Sequence, residues 1–334
     1  MKTATFYINK PGEIKCQLCP QACLVKEGET GVCKVRKNIE GELYSENYGK
    51  ITSMNFDPIE KKPLYHFYPG SIIFSIGTAG CNLNCDFCQN AEISQSGMAD
   101  FPFLKNYTPE DTVKLALQNK SNIGLAYTYN EPSIWYEFVL DTCQIAKENM
   151  LLNVLVTNGY INKNPLKELL PLMDAFNVDL KAFTEDFYRK YTSSSLIPVL
   201  NAIKQIHESG KHLEITNLII PGLNDDPVIF EQMVKWIAGE TGKETPLHLS
   251  RYFPMNRMKI TPTPEKTMLS LFEIAQKYLS FVYLGNITTP KGKNTFCPGC
   301  GHETIRRNGY FTEIRGLDKD GCCLNCLLKV AVRN

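Results

Sequence analysis

The sequence predicts an α/β fold: a partial (β/α)6 barrel of the TIM type, with small cysteine-rich extensions at both ends, the C-terminal one ribbon-like. Three observations carry the prediction. Between residues 51 and 285, apolar runs that read as strands alternate with helical patterns six times, and a seventh short strand closes the series. Strict alternation implies right-handed crossovers and a parallel sheet. No glycine fingerprint of a dinucleotide or P-loop site follows the first strand; cysteines occupy that place, and the strand count suits a barrel better than a doubly wound sheet. Twelve of the 13 cysteines fall in three groups, at 16/19/23/33, 81/85/88 and 297/300/322/323/326, and only Cys143 stands apart. The expected units are therefore a cysteine-rich cap over 1–50, the barrel over 51–285 and a paired-knuckle metal ribbon over 286–334.

Composition narrows the function. The 334 residues are 43% hydrophobic, enough for a sizeable core, and the net charge of +1 provides no global field for nucleic acid or membrane. The first residues lack the apolar core of a signal peptide. No apolar run approaches the ~20 residues that span a bilayer. A cytoplasmic location without a membrane partner is expected, and there thiols stay reduced. Clustered thiols in such a compartment point to metal.

In chain order, the cap carries Cys16-x2-Cys19-x3-Cys23-x9-Cys33, loop-rich around Pro20, Gly28 and Gly31. Four thiols this close suit zinc or an auxiliary [4Fe–4S] cluster, and spacing does not separate the two. Residues 51–70 read as a connector with prolines at 58, 63 and 69. Its aromatic run, Tyr65-His66-Phe67-Tyr68, either lines a wall of the site or packs as linker.

The run Ser71–Ile76 and the turn Gly77-Thr78-Ala79-Gly80 read as a buried strand entering a loop. The loop is Cys81-x3-Cys85-x2-Cys88. A disulfide takes an even number of thiols, a zinc site takes four ligands or three and a water, and core cysteines do not gather in a polar loop. Three thiolates instead suit three corners of an iron–sulfur cube that normally takes four, which leaves one iron open to a small molecule.

Thr108-Pro109-Glu110-Asp111 is a helix start, with a cap, a proline at the first position and acids at the positive end of the dipole. Strands follow at Asn122–Tyr127, Leu152–Val156, Asp174–Leu180, Leu213–Ile219, Leu247–Tyr252 and Phe281–Leu284. Helices start near Ser133, Asn164, Thr184, Ile197, Asp226 and Thr263. Trp135, Val139, Cys143 and Ala146 recur at helical spacing, so Cys143 reads as core.

Past residue 286, Cys297-x2-Cys300 and Cys323-x2-Cys326 form two knuckles, with a strand over Tyr310–Ile314 between them. This spacing signals a tetrathiolate site, with zinc favoured as the ion of closed structural sites. The two-residue spacing selects Cys323 over Cys322, and His302 is a weaker substitute ligand.

Functional residues of α/β barrels gather at the carboxyl ends of strands. Read in order, those ends supply the cysteine loop, Asn130 and Glu131, Asn158, Asp179 and Lys181, Asn217, and then His248 with Arg251. An open iron takes a chelate of amine and carboxylate, which S-adenosylmethionine (SAM) supplies. Glu131, with Asn130, is placed to hold its ammonium. Asn158, Asp179 and Lys181 are placed to hold its carboxylate or ribose, and His248 is a further candidate contact.

At these residues the chain resembles the radical SAM superfamily. Cys81-x3-Cys85-x2-Cys88, with Phe87 before the last thiol, is similar to its signature loop. Asn90, Thr157-Asn158-Gly159 and Asp179-Leu180-Lys181 resemble the pyruvate formate-lyase activating-enzyme branch. That branch has a glycine-rich motif ending in Glu where this chain has Tyr129-Asn130-Glu131-Pro132. The segment Asp57–Gly70, the four leading cysteines, Tyr127–Pro132, Leu284-Gly285-Asn286 and the terminal knuckles resemble the AmmeMemoRadiSam system radical SAM enzyme over essentially the whole chain. The extra Cys322, and Leu327 where a glycine often follows the last cysteine, depart from its pattern.

The resemblance implies a [4Fe–4S] cluster on Cys81, Cys85 and Cys88 that cleaves SAM reductively to a 5′-deoxyadenosyl radical, which abstracts hydrogen from a small or macromolecular substrate. It also implies an anaerobic enzyme beside Memo-like and AMMECR-like proteins, with an electron donor of flavodoxin or ferredoxin type. Two other readings stay open: activation of a glycyl-radical enzyme, and a non-catalytic metal-ribbon module that binds RNA or protein.

Overall fold

The computed structural model describes residues 1–332. Its centre is an eight-stranded sheet: β1 (Ser53–Pro58), β2 (Ile72–Gly77), β3 (Asn122–Tyr127), β4 (Leu152–Thr157), β5 (Ala175–Asp179), β6 (His212–Ile219), β7 (Leu247–Arg251) and β8 (Val282–Gly285). Spatial order equals chain order, from β8 at one edge to β1 at the other. Neighbours from β2 to β8 are parallel, and β1 joins β2 antiparallel. Sequential parallel order is that of a singly wound barrel; a doubly wound sheet reverses order at a switch point. Six strands, β2 to β7, are each followed by helix, as the alternation predicts.

Local chemistry explains the crossovers. The helix Pro109–Ala116 starts at a capping box, in which Thr108 Oγ1 accepts from Asp111 N–H and the Asp111 carboxylate accepts from Thr108 N–H. The helix Pro227–Thr241 is capped by Asp226, whose carboxylate accepts from Val228 and Ile229 N–H. Between Glu131 and the helix Tyr136–Glu148 the chain first takes one 3-10 turn, Pro132–Trp135. The inner faces of these helices and the sheet share one core around Phe138, Phe176, Ile215 and Leu249, all fully buried. Truncating one of these to alanine costs about 2–5 kcal/mol. Cys143, also fully buried, belongs to the same core, as its helical spacing predicts.

The connector before the barrel is not one. Ser53–Pro58 forms the edge strand β1. Nor does its aromatic run line the site. Tyr65 and His66 lie beneath the barrel, where their backbone N–H groups donate to the Glu214 carboxylate at 3.0 and 2.7 Å.

The N-terminal region is ordered β-structure rather than loop. Tyr7–Lys10, Glu13–Cys16 and Leu24–Lys26 form one antiparallel sheet, and Lys2–Thr3, Glu42–Ser45 and Arg36–Ile39 another. Arg36, 2% exposed, donates two bonds to the Glu137 carboxylate at 2.7 and 2.8 Å, which clamps this region to the helix Tyr136–Glu148. Breaking one side of a buried pair like this costs about 3–5 kcal/mol.

The C-terminal region is a three-stranded antiparallel sheet, Thr295–Phe296, Glu303–Asn308 and Phe311–Ile314. It touches both edges of the barrel sheet. Thr295 and Tyr283 of β8 share a hydroxyl–hydroxyl bond at 2.7 Å, and Thr312 donates to Glu60 just past β1 at 2.7 Å.

Candidate active site at the carboxyl ends of the strands

The loop after β2 is shaped by its neighbours. Gly80 has φ +91, a left-handed conformation that suits glycine, and a Cβ there would stand 2.5 Å from the Cys33 carbonyl oxygen. Asn82, fully buried, donates to the Tyr160 carbonyl at 2.7 Å and accepts from Asn158 Nδ2 at 2.9 Å. Arg257, from the chain after β7, donates to Asp86 at 2.8 Å and to Asn84 at 2.9 and 3.0 Å, which latches the outer rim. The three thiols point into one cavity of about 540 Å³, a size that suits a small-molecule cofactor.

That cavity gathers most of the expected residues. Asn130, Glu131, Asn158, Asp179 and Lys181 all line it beside Cys81, Cys85 and Cys88. Glu131 is 1% exposed and caps the 3-10 turn. Its carboxylate accepts from Ser133 N–H at 2.9 Å, Thr157 Oγ1 at 2.7 Å and Asn158 N–H at 2.7 Å. A carboxylate has about four acceptor sites, so three internal donors fix the group and leave capacity for a cation. Burial pushes the Glu131 carboxyl up, against the pull of those donors. An ammonium in the cavity would reverse that balance.

Asp179 and Lys181 form an ion pair at 3.0 Å. Burial works against the Lys181 charge, but Asp179 and the nearby Cys85 outweigh it and hold the amine well above the usual lysine range.

Two expected contacts turn out to be internal braces. Asn130 donates to the Gly80 carbonyl at 2.7 Å and accepts from Thr78 N–H at 3.2 Å. Asn158 uses its amide on Asn82 and, at 3.8 Å, on the Cys81 sulfur, and its Oδ1 accepts from Tyr160 N–H. Both residues border the cavity; Asn158 Nδ2 braces the cysteine loop at Asn82 and Asn130 braces the turn that leads into it.

His248 does not reach the cavity. It is 5% exposed, bonds Glu214 at 2.6 Å and stacks on Tyr283. Two residues on, Ser250 takes the place at the cavity wall. Asn217 is turned the other way and donates to the Leu180 carbonyl at 2.6 Å.

The structure adds residues to the cavity that spacing did not reveal. Asp57, at the end of β1, pairs with Lys62 at 2.8 Å and Lys61 at 3.0 Å and accepts from the Tyr129 hydroxyl at 2.8 Å. Burial favours the neutral Asp57 acid, but the two lysines prevail and hold its carboxyl well below the usual range. Tyr310 reaches the same cavity from the C-terminal hairpin. The segment 57–62 drew notice only through its resemblance, and Tyr310 gave no local signal.

At the C-terminus, the sulfurs of Cys297, Cys300, Cys323 and Cys326 lie within 4.8 Å of one another. A tetrahedral ion with metal–sulfur bonds of about 2.3 Å needs such a cage, and the set can hold zinc or iron. Cys322 stays outside it, as the knuckle spacing predicts.

The donor set at the cavity fits a cluster with one open iron. Three thiols converge on one loop, and the cavity beside them is large enough for a cofactor and holds a buried carboxylate with spare acceptor capacity. No helix among the described residues is long and apolar enough to cross a membrane.

Comparison with known proteins agrees. The family model of the Radical SAM superfamily matches residues 75–236. An uncharacterized protein of Methanocaldococcus jannaschii is 42% identical over 95% of both chains. A protein of the same archaeon named as a glycyl-radical enzyme activating enzyme is 28% identical over 61% of this chain and 77% of its own. The pyruvate formate-lyase-activating enzyme of Clostridium pasteurianum is 25% identical over 44% of this chain and 61% of its own. Among solved structures, a radical SAM methyltransferase from Sphaerobacter thermophilus shares the fold with a TM-score of 0.52 at 16% identity, over 65% of this chain and 67% of its own.

Proposed function

The chain belongs to the radical SAM superfamily, and from that premise we propose that it is a hydrogen-abstracting enzyme of the AmmeMemoRadiSam branch. Membership implies a [4Fe–4S] cluster and SAM. Cys81, Cys85 and Cys88 would hold the cluster, and Glu131 would hold the SAM ammonium. Asp179 and Lys181 would meet its carboxylate or ribose. When bound and reduced, this pair supplies a 5′-deoxyadenosyl radical that takes a hydrogen atom from the substrate.

The chain's own residues prepare that chemistry. Asn158 and Asn130 hold the cysteine loop against the ends of β4 and β3. Thr157, Ser133 and the Asn158 backbone fix the Glu131 carboxylate before any ligand arrives, so little reorganisation is needed on binding. Cys85 and Phe87 are buried on the wall of the cavity.

The observation that carries the reading is the single cavity shared by the three thiols, Glu131 and the Asp179–Lys181 pair. A branch-specific substrate is supported by Asp57, Lys61 and Lys62, which lie in the segment that resembles this branch and border the same cavity. The partners we propose are a one-electron donor of flavodoxin or ferredoxin type and Memo-like and AMMECR-like proteins. Activation of a glycyl-radical enzyme is the second reading, favoured by the names of two relatives.

The test is isotope transfer. Reconstituted enzyme and SAM are incubated with a candidate partner protein deuterated at its carbon-bound positions. Deuterium in 5′-deoxyadenosine identifies a macromolecular hydrogen donor, and a lasting glycyl radical on the partner selects the second reading. SAM cleavage without transfer from any candidate removes both macromolecular readings.

A further inference from the structure

The N-terminal cysteines form a second site whose structure is unlike that of the C-terminal cage. Cys16, Cys19, Cys23 and Cys33 surround a closed cavity together with Arg36 and Asn82. The cavity between them measures only about 10 Å³. An organic ligand does not fit. A group that bonds to sulfur does, because a metal–sulfur bond of about 2.3 Å is shorter than any van der Waals contact.

The size of that group follows from the sulfur spacing. Among the described residues, only the C-terminal four converge within 4.8 Å. The N-terminal four and the three on the loop after β2 stand wider apart. Wide spacing around a central space suits a cube of iron and sulfide, and convergence on a point suits a single ion.

One N-terminal sulfur also receives a backbone N–H, from Val32 to Cys23 at 3.4 Å. Hydrogen bonds to sulfur help set the reduction potential of a cluster. Arg36 adds a buried cation. It is 2% exposed, lines the cavity, and its Nε has no hydrogen-bond partner. Glu137 pairs with the outer end of this guanidinium, so what Arg36 offers the cavity is the one unpartnered Nε–H donor.

Its position supplies a purpose. Asn82 lines the cavity and is the covalent neighbour of Cys81. Consecutive Cα atoms lie about 3.8 Å apart, so one residue separates the two cysteine sites. Gln21 Nε2 donates to the Asn82 carbonyl at 2.8 Å, and Gly80 packs on the Cys33 carbonyl.

We propose that Cys16, Cys19, Cys23 and Cys33 bind a [4Fe–4S] cluster that passes single electrons to the cluster on Cys81, Cys85 and Cys88. The second half of this rests on the function proposed above; the first half does not. One electron from an external ferredoxin- or flavodoxin-type donor takes the N-terminal cluster from its 2+ to its 1+ core. The same electron then moves to the loop cluster, which goes from 2+ to 1+ as the N-terminal cluster returns to 2+. No bond to carbon forms or breaks, and no proton is transferred.

The test uses the full chain, reconstituted without oxygen. The variant Cys81→Ala/Cys85→Ala/Cys88→Ala should retain about four iron and four sulfide per chain. It should show a spin-resonance signal on reduction that SAM does not alter, since no iron is open. Absence of sulfide and of the four iron from this variant, with its fold intact by circular dichroism, would overturn the cluster; a single zinc or iron without sulfide belongs to the C-terminal cage. If the triple variant fails to fold, Cys23→Ser, at the least buried of the four thiols, gives the same answer by changing the signal that is insensitive to SAM.

For the relay, Cys19→Ser/Cys23→Ser should keep a SAM-sensitive loop-cluster signal under a small-molecule reductant. Its reduction by flavodoxin should slow at least tenfold. An unchanged rate with flavodoxin sinks the relay and leaves the cluster standing. Failure of the proposed function would instead appear as a loop cluster indifferent to SAM.

Discussion

Asn158 Nδ2 donates to Asn82 Oδ1 at 2.9 Å, and this bond joins the end of β4 to the middle of the cysteine loop. The same amide approaches the Cys81 sulfur at 3.8 Å. Asn158 is therefore a positioning residue for the cluster loop. Asn158→Ala should lower 5′-deoxyadenosine formation about tenfold, near 1.4 kcal/mol, without changing the iron content. The reduced cluster's spin-resonance spectrum should shift before SAM is added. An unchanged spectrum with slower cleavage would move Asn158 back to direct contact with SAM.

Glu131 makes the opposite prediction. Its three internal donors need a carboxylate, and an amide in its place turns one acceptor into a donor facing a donor. Glu131→Gln should weaken SAM binding by about 1.5–3 kcal/mol, tenfold or more in Kd measured by calorimetry. The iron content should stay as in the parent. Parent-like affinity in Glu131→Gln would remove the ammonium contact.

The pH prediction concerns the far end of the barrel. His66 bonds the Tyr283 hydroxyl and the Val330 carbonyl, both at 2.6 Å, with Phe281, Glu214, His212 and Arg307 around it. Burial holds its pKa down, from 6.5 to about 4. The unfolded chain then binds the proton first as pH falls, so stability is lost between about 6.5 and 4 and is complete above that window. The fall amounts to about 3 kcal/mol at most. Glu214, whose carboxyl burial would raise, is instead held well below its usual value by His212 and His248, and so loses stability in the same direction below the ordinary carboxyl range. Urea unfolding of the parent and of His66→Gln at pH 7 and pH 5 isolates the His66 share, because effects on the metals are common to both. An equal loss in the two proteins would refute it.

The C-terminal cage separates two adjacent cysteines. Cys326→Ser should abolish metal binding at this site and loosen the hairpin that carries Tyr310, whereas Cys322→Ser should leave the metal content unchanged. Metal analysis of both variants decides the matter, and loss in Cys322→Ser would redraw the cage.

Much of this architecture was legible in the sequence. The strand Asn122–Tyr127 and the cap at Thr108 carry their own signals, namely a compact apolar run and a cap followed by proline and acids, and both appear where those signals place them. β1 carried none. It is an edge strand paired on one side only, half exposed and ended by a proline, so its residues show no apolar run. The N-terminal strands are two to four residues long, and their order comes from pairing and from the Arg36–Glu137 clamp across 101 residues. His248 shows a different limit. A period of two places both His248 and Ser250 on the inner face, and only the three-dimensional packing of Glu214, Tyr65 and Tyr283 decides which one reaches the cavity.

The central claim is that the loop after β2 holds a cluster that opens SAM. The most direct measurement is anaerobic reconstitution of the parent chain and of Cys85→Ser, followed by reduction and addition of SAM. The parent should form methionine and 5′-deoxyadenosine, with a cluster spectrum that changes on SAM binding, and Cys85→Ser should form neither product. Equal product from both proteins, or a parent spectrum blind to SAM, would contradict the account.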